Sequence, residues 1–544
     1  MIDTTGDIHR DVVILGGGLA GLTLALQLRA AHPALGIRVL ERRMHPVPES
    51  AFKVGESTVE IGAHYFAEVL GLREHLEEQQ IRKFGFRFFF SEGRADIDRC
   101  TELGVSVQLP VPAWQIDRGR FENFLGERAR AQGIEFVDGA VVREVELDGA
   151  GHRVGYDRDG TTHSIAARWV VDASGRAGLL KRKLGLAEDN AHDANAVWFR
   201  VDARIDPHDW SDDADWLQRC DPPERWRSTN HLCGPGYWLW LIPLASGSHS
   251  IGIVAEQAMH PLAGMNSFDK AMQWMHRHQP RVAQAMEPLR GKLQDFAFLR
   301  NFSYGCRQVF SAQRWALTGE AGLFLDPFYS PGSDFIAISN TYIAELIGKD
   351  LAGEEFAPYA GVYEQLYFSF YEATLAMYTG QYALFGNARV LPVKVIWDYT
   401  YYWGILSALF FGGRIADLPT LSRLRGELAA AKALNLAMQD FLRRWGEVDG
   451  GERHLRNLDQ SAIDWFAELN RALTDELDAA AFRQRIRDNF TRMQALAAEI
   501  VAAATAAHPQ LDAGALGPLL VDAPPLRSLS AHWYDAAAHE PAAT

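Results

Sequence analysis

A glycine-rich turn and an acid that follows it carry the strongest chemical signal in the sequence. Gly16, Gly18 and Gly21 stand in the spacing GxGxxG, and Glu41 comes 20 residues after the last of them. Glycines in this spacing allow a tight turn, close approach of backbone N–H groups to a pyrophosphate, and close packing of a helix on a strand. A carboxylate at the position of Glu41 can accept both hydroxyls of a ribose. The pattern therefore predicts a dinucleotide site.

The elements around this turn have the order that such a site needs. Residues 11–15 predict a buried strand, residues 22–31 an apolar helix, and residues 36–41 a second strand. Parallel strands need a helical crossover, so this order predicts a βαβ unit of a nucleotide-binding fold. The turn alone fits NAD as well as FAD.

Three further segments resemble the FAD-dependent monooxygenase and halogenase superfamily, and the resemblance implies FAD. Residues 116–122 resemble its V-x-R-x-x-F-D segment, in which Arg118 is the arginine beside the cofactor. Residues 171–176 resemble its V-D-A-S-G segment, which places Asp172 and Gly175 near the nucleotide. Glu320 stands where relatives carry the aspartate of a Gly-Asp pair at the ribityl chain.

Two motifs narrow the resemblance to the flavin-dependent halogenases, in their tryptophan and phenol halogenase-like branch. The WxWxIP motif, whose bulky residues separate the flavin from the substrate in that family, is matched by Trp238, Trp240, Ile242 and Pro243. Residues 54–58 resemble the V-G-E-(S/A)-T segment beside the flavin, which implies a cofactor contact for Ser57. Lys53, just before it, is either a partner of a cofactor phosphate or a solvated surface lysine.

Lys83 is the candidate catalytic residue. It precedes the aromatic run at 84–90 and has the sequence setting of the active-site lysine of the halogenases. A lysine enclosed by aromatic rings can hold hypohalous acid or react with it to a haloamine, and burial favours the neutral amine that this reaction needs. The alternative is a lysine at a strand edge with its ammonium group in water.

Residues 325–335 resemble the segment in front of the flavin, which implies that Asp326 and Gly332 lie at the cofactor. The resemblance assigns halide binding to backbone N–H groups before a helix, here at Ser330, Gly332 and Ser333. Two positions differ from the family. Tyr329 replaces the glutamate of the tryptophan halogenases, and Pro331 lacks the N–H that some relatives give to chloride. We expect Asp334 to cap the helix that follows.

The resemblance implies an oxidoreductase that uses reduced FAD, O2 and halide to make hypohalous acid, which Lys83 presents to a phenolic or pyrrolic substrate. Because the sequence contains no second nucleotide-binding motif, a separate flavin reductase is expected to supply reduced FAD. The substrate can arrive free or on a carrier protein. Two alternatives stay open: a halogenase-like FAD monooxygenase or dehydrogenase that uses no halide, and a catalytically silent FAD-binding partner protein.

The predicted fold class is α/β, with a Rossmann-like FAD-binding domain interleaved with an antiparallel-sheet substrate domain and followed by an α-helical C-terminal region. Strands are expected at 84–90 and 105–109 and at several places within 194–256. The aromatic stretch at 359–411 can pack a core or roof a pocket. The expected limits are 1–75, 116–190 and 301–345 for the FAD-binding domain, 76–115 and 191–300 for the substrate sheet, 346–519 for the helical region, and 520–544 for a loosely ordered tail.

Composition excludes several other classes of protein. The net charge of −15 and the lack of a Lys/Arg-rich block argue against a nucleic-acid partner. Four cysteines without a CxxC pair, and His276 and His278 without a third ligand, predict no metal site. The apolar stretch 399–413 has 15 residues, fewer than the roughly 20 that a membrane span needs. With no signal peptide in the sequence, we expect a cytoplasmic protein.

Overall fold

The computed structural model describes residues 8–49, 55–149, 151–451, 457–520, 526, 529 and 531–534. Lys53 and most of the predicted tail at 520–544 lie outside the described residues. The chain forms two compact units: the first comprises Met1–Gln80, Ile116–Ala191 and Ser303–Tyr371, and the second comprises Ile81–Gln115, His192–Phe302 and Glu372–Thr544. The seven functional segments proposed from the sequence stay a prediction.

The strands occur throughout the first two thirds of the chain, with one more near residue 458. They are β1 (Ile8–Leu15), β2 (Ile37–Leu40), β3 (Ile81–Arg82), β4 (Phe86–Phe89), β5 (Glu102–Gly104), β6 (Trp114–Gln115), β7 (Glu135–Val137), β8 (Val141–Glu146), β9 (His152–Arg158), β10 (Thr161–Asp172), β11 (Ala187–Glu188), β12 (Ala194–Val201), β13 (Thr229–Gly234), β14 (Tyr237–Pro243), β15 (His249–Glu256), β16 (Leu293–Leu299), β17 (Gly305–Cys306), β18 (Trp315–Leu317) and β19 (Asn457–Asp459).

The longest helices lie in the last 220 residues or so, as the alanine- and leucine-rich pattern there predicts. The helices are α1 (Leu19–Ala31), α2 (Glu60–His64), α3 (Arg73–Gln79), α4 (Arg118–Ala131), α5 (Leu179–Lys183), α6 (Ala214–Leu217), α7 (Phe268–His278), α8 (Pro280–Met286), α9 (Gly332–Leu351), α10 (Ala357–Leu375), α11 (Val390–Tyr401), α12 (Ala408–Phe411), α13 (Leu418–Arg423), α14 (Arg425–Val448), α15 (Phe466–Arg471), α16 (Ala479–Ala507) and α17 (Ala531–Tyr534).

The first unit contains the predicted βαβ arrangement. Its sheet has the order β7-β2-β1-β10-β9-β8, and β18 also pairs with β10. The pairs among β7, β2, β1, β10 and β18 are parallel, whereas β8, β9 and β10 form antiparallel pairs. Val12, Val13, Ile14 and Leu15 of β1 are completely buried, because this strand lies in the middle of the sheet.

The second unit contains a sheet with the order β16-β12-β15-β14-β13-β4-β5-β19. Most of its pairs are antiparallel, as predicted, but β4 runs parallel to β13 and β5 runs parallel to β19. One face of this sheet packs with α7 and α8 in a core that includes Leu232, Leu239 and Leu241. Side chains alternate along a strand, so the neighbouring residues on β13 and β14 face the other way.

The strand predicted at residues 105–109 is wrong. Val105 is buried and Val107 is 48% exposed, and Val107 makes only an isolated bridge with Asp221. The backbone N–H of Ser106 donates to Oδ1 of Asp459 at 3.0 Å, so a side chain takes the place of a strand partner there. Apolar residues alternate here as they do in a strand, but residues 105–109 form no ladder of backbone hydrogen bonds. The amide of Ser106 donates to a side chain instead of to a neighbouring strand.

The C-terminal part of the chain is helical to Ala507, as predicted. Within its second-unit portion, most residues from Val390 to Phe410 are buried. This burial agrees with core packing of the aromatic stretch. Among the residues that the structure describes, no helix is long and apolar enough to cross a lipid bilayer.

Candidate functional site

Two of the three motif glycines in the first unit are required by the packing of the protein itself. Gly16 has φ +114°, and a Cβ on it would lie 2.4 Å from the carbonyl oxygen of Ala173. A Cβ on Gly21 would lie 2.0 Å from the carbonyl oxygen of Gly16. These glycines let the turn and α1 approach the strand ends.

Gly18, the third motif glycine, is not required by the packing of the protein. It is the residue before α1, with φ −85°, which any residue can adopt. The nearest atom to a Cβ on Gly18 would be Oε1 of Glu122, 4.0 Å away. Protein packing therefore leaves room for a side chain here, and the glycine fits a group that must come close to the backbone at the start of a 13-residue helix. A pyrophosphate is such a group.

Glu41, at the end of β2, points its carboxylate at the same turn. Its Oε2 accepts a hydrogen bond of 2.7 Å from Gly17 N, and its Oε1 accepts one of 2.8 Å from Arg43 N. The side chain is only half-buried, so both oxygens retain room for another donor. The structure thus brings the carboxylate and the glycine turn together, as the spacing predicts.

Arg118 and the segment of Ser57 lie side by side. Arg118 begins α4, donates from Nη2 to Oε1 of Glu122 at 2.6 Å, and donates from Nη1 to the carbonyl of Gly55 at 3.4 Å. Ile116 N donates to the carbonyl oxygen of Glu56 at 2.6 Å, which fixes the two segments next to each other, and Ser57 is buried. Two distant motifs therefore meet in one place.

Asp172 and Gly175 form the turn that follows β10. Asp172 is completely buried; its Oδ1 accepts from Ser174 N at 2.9 Å and its Oδ2 from Leu180 N at 2.7 Å. Burial raises the pKa of the Asp172 carboxyl, although the hydrogen bonds act in the opposite direction. Gly175 has φ +62°, and a Cβ there would meet no atom within 4 Å. Asp172 therefore holds the loop, and Gly175 provides its open surface.

Glu320 lies in a short turn after β18. Its carboxylate forms an ion pair of 3.7 Å with Arg176, and its carbonyl oxygen accepts a hydrogen bond of 2.7 Å from the Tyr304 hydroxyl. Both charged side chains are about one third exposed, so the pair is accessible from solvent. Glu320 thus lies near the turn of Gly175, because both belong to the loops after β10 and β18.

The loop before α9 is tightly shaped. Asp326 is buried and its Oδ1 accepts from Phe328 N at 2.9 Å. Ser330 has φ +55°, which is unusual for a residue other than glycine, and Pro331 precedes the helix with φ −75°. Gly332, the first helical residue, is exposed. The N-terminus of a 20-residue helix therefore lies directly behind this loop.

The predicted capping role of Asp334 is wrong. Pro331 occupies the cap position of α9, and Asp334 lies inside the first turn, where its Oδ1 accepts from Gly62 N at 2.8 Å. The carboxylate thus accepts a hydrogen bond from the amide of Gly62 in α2. Ser333 also points at α2, because a Cβ on Gly62 would lie 2.3 Å from its Oγ.

Lys83, in the second unit, is buried against an aromatic ring as predicted. The side chain is 6% exposed, and its Nζ lies 3.3 Å from the centre of the Phe86 ring. Its backbone N–H donates to Ala113 O at 2.8 Å, which continues the short β3–β6 pairing and fixes the start of the side chain. The ammonium group is therefore held on a π face.

His231 is a neighbour of Lys83 that sequence reasoning missed. Its ring stacks on Phe86 at 5.3 Å and lies 5.0 Å from Phe88 and 4.8 Å from Trp238. Burial, and then the charge of Lys83, lower the pKa of His231 well below its usual value. We call Lys83, Phe86, Phe88, His231 and Trp238 the Lys83 cluster. The parallel pairing of β4 with β13 brings these residues together.

The WxWxIP motif forms β14. Trp238, Trp240 and Ile242 alternate with the leucines that face α7 and α8, so they share the opposite face of the sheet with His231. Trp238 donates from Nε1 to the Tyr382 hydroxyl at 3.2 Å, and Trp240 to Ser250 Oγ at 3.1 Å. A Cβ on Gly252 would lie 2.1 Å from the Trp240 ring, so a glycine opposite makes room for the indole. Pro243 ends the strand.

Known proteins resemble this chain over most of its length. The family model of the FAD binding domain matches residues 9–241. Flavin-dependent halogenase chlA of Dictyostelium discoideum is 26% identical over 448 residues, which cover 76% of this chain and 72% of that protein. The 1H-pyrrole-2-carbonyl-(peptidyl-carrier protein) chlorinase of Pseudomonas fluorescens is 25% identical over 461 residues, which cover 78% of this chain and 95% of that protein.

Solved structures share the fold. The crystal structure of halogenase PltM in complex with phloroglucinol and FAD superposes with a TM-score of 0.64 at 18% identity, covering 90% of this chain and 96% of that chain. The fold and the glycine turn define an FAD-binding flavoprotein. The relatives named above are flavin-dependent halogenases, so the chain is similar to that family, and the similarity indicates an enzyme.

Proposed function

We propose that this enzyme halogenates an electron-rich aromatic ring, a phenol or a pyrrole, through hypohalous acid and Lys83. The observation that carries the proposal is the burial of Lys83 Nζ on the Phe86 ring, 3.3 Å from its centre, in a chain that has an FAD-binding domain. Reduced FAD, when bound, would supply together with O2 the oxidising power that converts halide into hypohalous acid.

The residues of the first unit support FAD as the cofactor. The space at Gly18 and the start of α1 would hold the pyrophosphate, and Glu41 would hold the ribose hydroxyls. Arg118, Ser57, Gly175 and Glu320 would line the rest of the site. We propose that a separate flavin reductase supplies the reduced cofactor.

Lys83 has two possible ways of using hypohalous acid. As an ammonium group it can donate a hydrogen bond that orients the acid, and as a neutral amine it can bind the halogen covalently. Both ways need a pocket that keeps other nucleophiles away. Phe86, Phe88 and Trp238 provide apolar walls of that kind. We propose that Trp238 and Trp240 also keep the organic substrate away from the flavin.

The substrate class follows from two features. Tyr329 stands where tryptophan halogenases carry a glutamate, so the enzyme is better suited to a ring that activates itself. Phenols and pyrroles do so, because oxygen or nitrogen lone pairs stabilise the positive charge that develops on the ring. Two similar proteins support this substrate class. The chlorinase of Pseudomonas fluorescens acts on a pyrrole attached to a carrier protein, and the structure of halogenase PltM contains the phenol phloroglucinol.

A second candidate function is supported by Pro331. Because proline has no N–H, the loop before α9 offers one amide fewer to a halide than in some relatives. The loss of one of two donors costs roughly 1–3 kcal/mol of halide binding. An enzyme with a weakened halide site would act as an FAD monooxygenase and insert oxygen into the same ring.

The two functions differ in the mass of the product. The protein is supplied with FAD, a generic flavin reductase, NADH, O2 and a panel of phenols, pyrroles and indoles, with bromide and chloride in separate reactions. We expect a halogen isotope pattern that disappears in Lys83→Met and persists in Lys292→Met, an exposed lysine of the same unit. Products that carry oxygen and form equally well without halide would contradict halogenation and favour the monooxygenase.

A further inference from the structure

Trp238, a member of the Lys83 cluster, donates its indole N–H to a residue far away in the chain. Nε1 of Trp238 lies 3.2 Å from the hydroxyl oxygen of Tyr382, and the two side chains are 1% and 2% exposed. Trp238 belongs to β14, whereas Tyr382 begins a short helical turn, Tyr382–Gly386, 144 residues later. The hydrogen bond therefore joins the helical C-terminal region to β14 within the second unit.

The position of the Tyr382 hydroxyl is fixed because its turn is attached to the loop between β13 and β14. The backbone N–H of Gly236 in that loop donates to the carbonyl oxygen of Tyr382 at 3.0 Å. At the other end of the turn, a Cβ on Gly386 would lie 2.5 Å from Cδ of Pro235, so a glycine allows the close contact. The Tyr382 ring also packs against Phe385, with ring centres 4.5 Å apart.

The two tryptophans of the WxWxIP motif are held in different ways. Trp240 donates to Ser250 Oγ on β15 at 3.1 Å, and Gly252 on the same strand leaves the space that the Trp240 ring occupies. Its own sheet thus provides both the acceptor and the space. For Trp238 the acceptor is Tyr382, which lies outside the sheet. The orientation of Trp238 therefore depends on the helical region.

The orientation of Trp238 affects the surroundings of Lys83. The Trp238 ring lies 4.8 Å from the His231 ring, and His231 stacks on Phe86 at 5.3 Å. Phe86 in turn holds Lys83 Nζ 3.3 Å from its ring centre. A buried N–H that loses its acceptor is costly, so an indole without the Tyr382 hydroxyl would turn towards another partner. That movement would open one wall of the Lys83 cluster.

We infer that Tyr382 is a positioning residue, which holds Trp238 in place so that hypohalous acid stays at Lys83 until the aromatic substrate reacts. The inference rests on the proposed function. Tyr382 acts through Trp238 and takes no part in bond making or breaking. Without its hydroxyl, the indole turns, the wall opens, and hypohalous acid leaves the cluster and reacts with other compounds in solution.

The first measurement needs neither cofactor nor halide. The protein is labelled with ¹⁵N-tryptophan, and hydrogen exchange of the indole N–H groups is followed by NMR. The signals lost in Trp238→Phe and in Trp240→Phe assign the two indoles. Tyr382→Phe keeps the ring and removes the acceptor. We expect about tenfold faster exchange at Trp238 Nε1, which corresponds to roughly 1.4 kcal/mol, and unchanged exchange at Trp240. Equal acceleration at both indoles, or none at Trp238, would overturn the inference.

The second measurement determines where hypohalous acid reacts. Monochlorodimedone, a diketone that traps free hypohalous acid, is added to the halogenation reaction together with the phenol or pyrrole. We expect Tyr382→Phe to raise the ratio of halogenated diketone to halogenated substrate about tenfold. Tyr401→Phe, which removes the hydroxyl of another buried tyrosine of the same unit, should follow the wild type. In a Trp238→Phe background, Tyr382→Phe should cause no further change, because its effect passes through the indole.

Two results of this second measurement would overturn the inference: an unchanged ratio in Tyr382→Phe, or an equal rise in the Trp238→Phe background. Both require a wild-type enzyme that halogenates its substrate. Failure of the proposed function is distinguishable, since the wild type would then halogenate neither the substrate nor the diketone. That result would remove the proposed function and the role of Tyr382 in it together.

Discussion

Oδ1 of Asp334 accepts a hydrogen bond of 2.8 Å from the backbone N–H of Gly62, and this bond joins the first turn of α9 to α2. Ser333 packs at the same point, because a Cβ added to Gly62 would lie 2.3 Å from Ser333 Oγ. The two contacts fix where α9 starts. The loop 326–331, for which we propose contact with the flavin and the halide, leads directly into that start.

Gly62→Ala tests this relationship. The new Cβ would lie 2.3 Å from Ser333 Oγ and 2.6 Å from Ser333 Cβ. Rotation of the hydroxyl cannot relieve the second contact, so α9 or α2 must shift. We expect a loss of about 1–3 kcal/mol in the free energy of unfolding, as overpacked sites show, together with weaker FAD binding. Denaturant unfolding and flavin fluorescence titration measure the two quantities. In Gly361→Ala, on α10, the added Cβ meets no atom within 4 Å, so stability should stay equal or rise.

Gly18→Ala and Gly21→Ala should separate cofactor binding from folding. Alanine fits at Gly18, where the nearest atom to a Cβ is 4.0 Å away, so the apoprotein should unfold within about 0.5 kcal/mol of the wild type. FAD affinity should nevertheless fall tenfold or more, roughly, because the methyl group occupies space needed by the pyrophosphate. Gly21→Ala, with 2.0 Å to a backbone oxygen, should destabilise the apoprotein itself. Equal stability losses in both variants would remove the argument for a phosphate at Gly18.

Local patterns in the sequence predicted the βαβ unit, the glycine turn, Glu41 and the buried position of Lys83. The role of Asp334 could not be predicted, because its partner Gly62 lies 272 residues away in the chain. His231 escaped notice for the same reason, since only the parallel pairing of β4 with β13 places it on Phe86. At residues 105–109 the sequence predicted a strand that the structure does not contain. The local pattern fits a strand, but the backbone N–H of Ser106 donates to the distant side chain of Asp459 and not to another strand.

His249 should make the protein sensitive to acid. Burial lowers the pKa of this histidine from 6.5 to about 3. The unfolded chain therefore binds a proton below pH 6.5 or so that the folded protein rejects, and stability falls by about 1.4 kcal/mol per pH unit in that range. His249→Gln removes this contribution. The free energy of unfolding of the variant should decline less steeply between about pH 6 and pH 4, and parallel curves for the two proteins would contradict the assignment.

Pro331→Ala tests the halide site. Pro331 has φ −75°, which alanine adopts without strain, and the substitution restores an N–H at the start of α9. If halide binds there, a second donor should strengthen binding by about 1–3 kcal/mol, which corresponds to a KM for halide that is about 5- to 150-fold lower. The measurement is the rate of halogenated product against chloride and bromide concentration, with fixed FAD and reductase. Ser330→Gly, which relaxes φ +55° but adds no donor, should leave the KM for halide nearly unchanged. A KM that is the same in Pro331→Ala and the wild type would mean that halide is captured elsewhere.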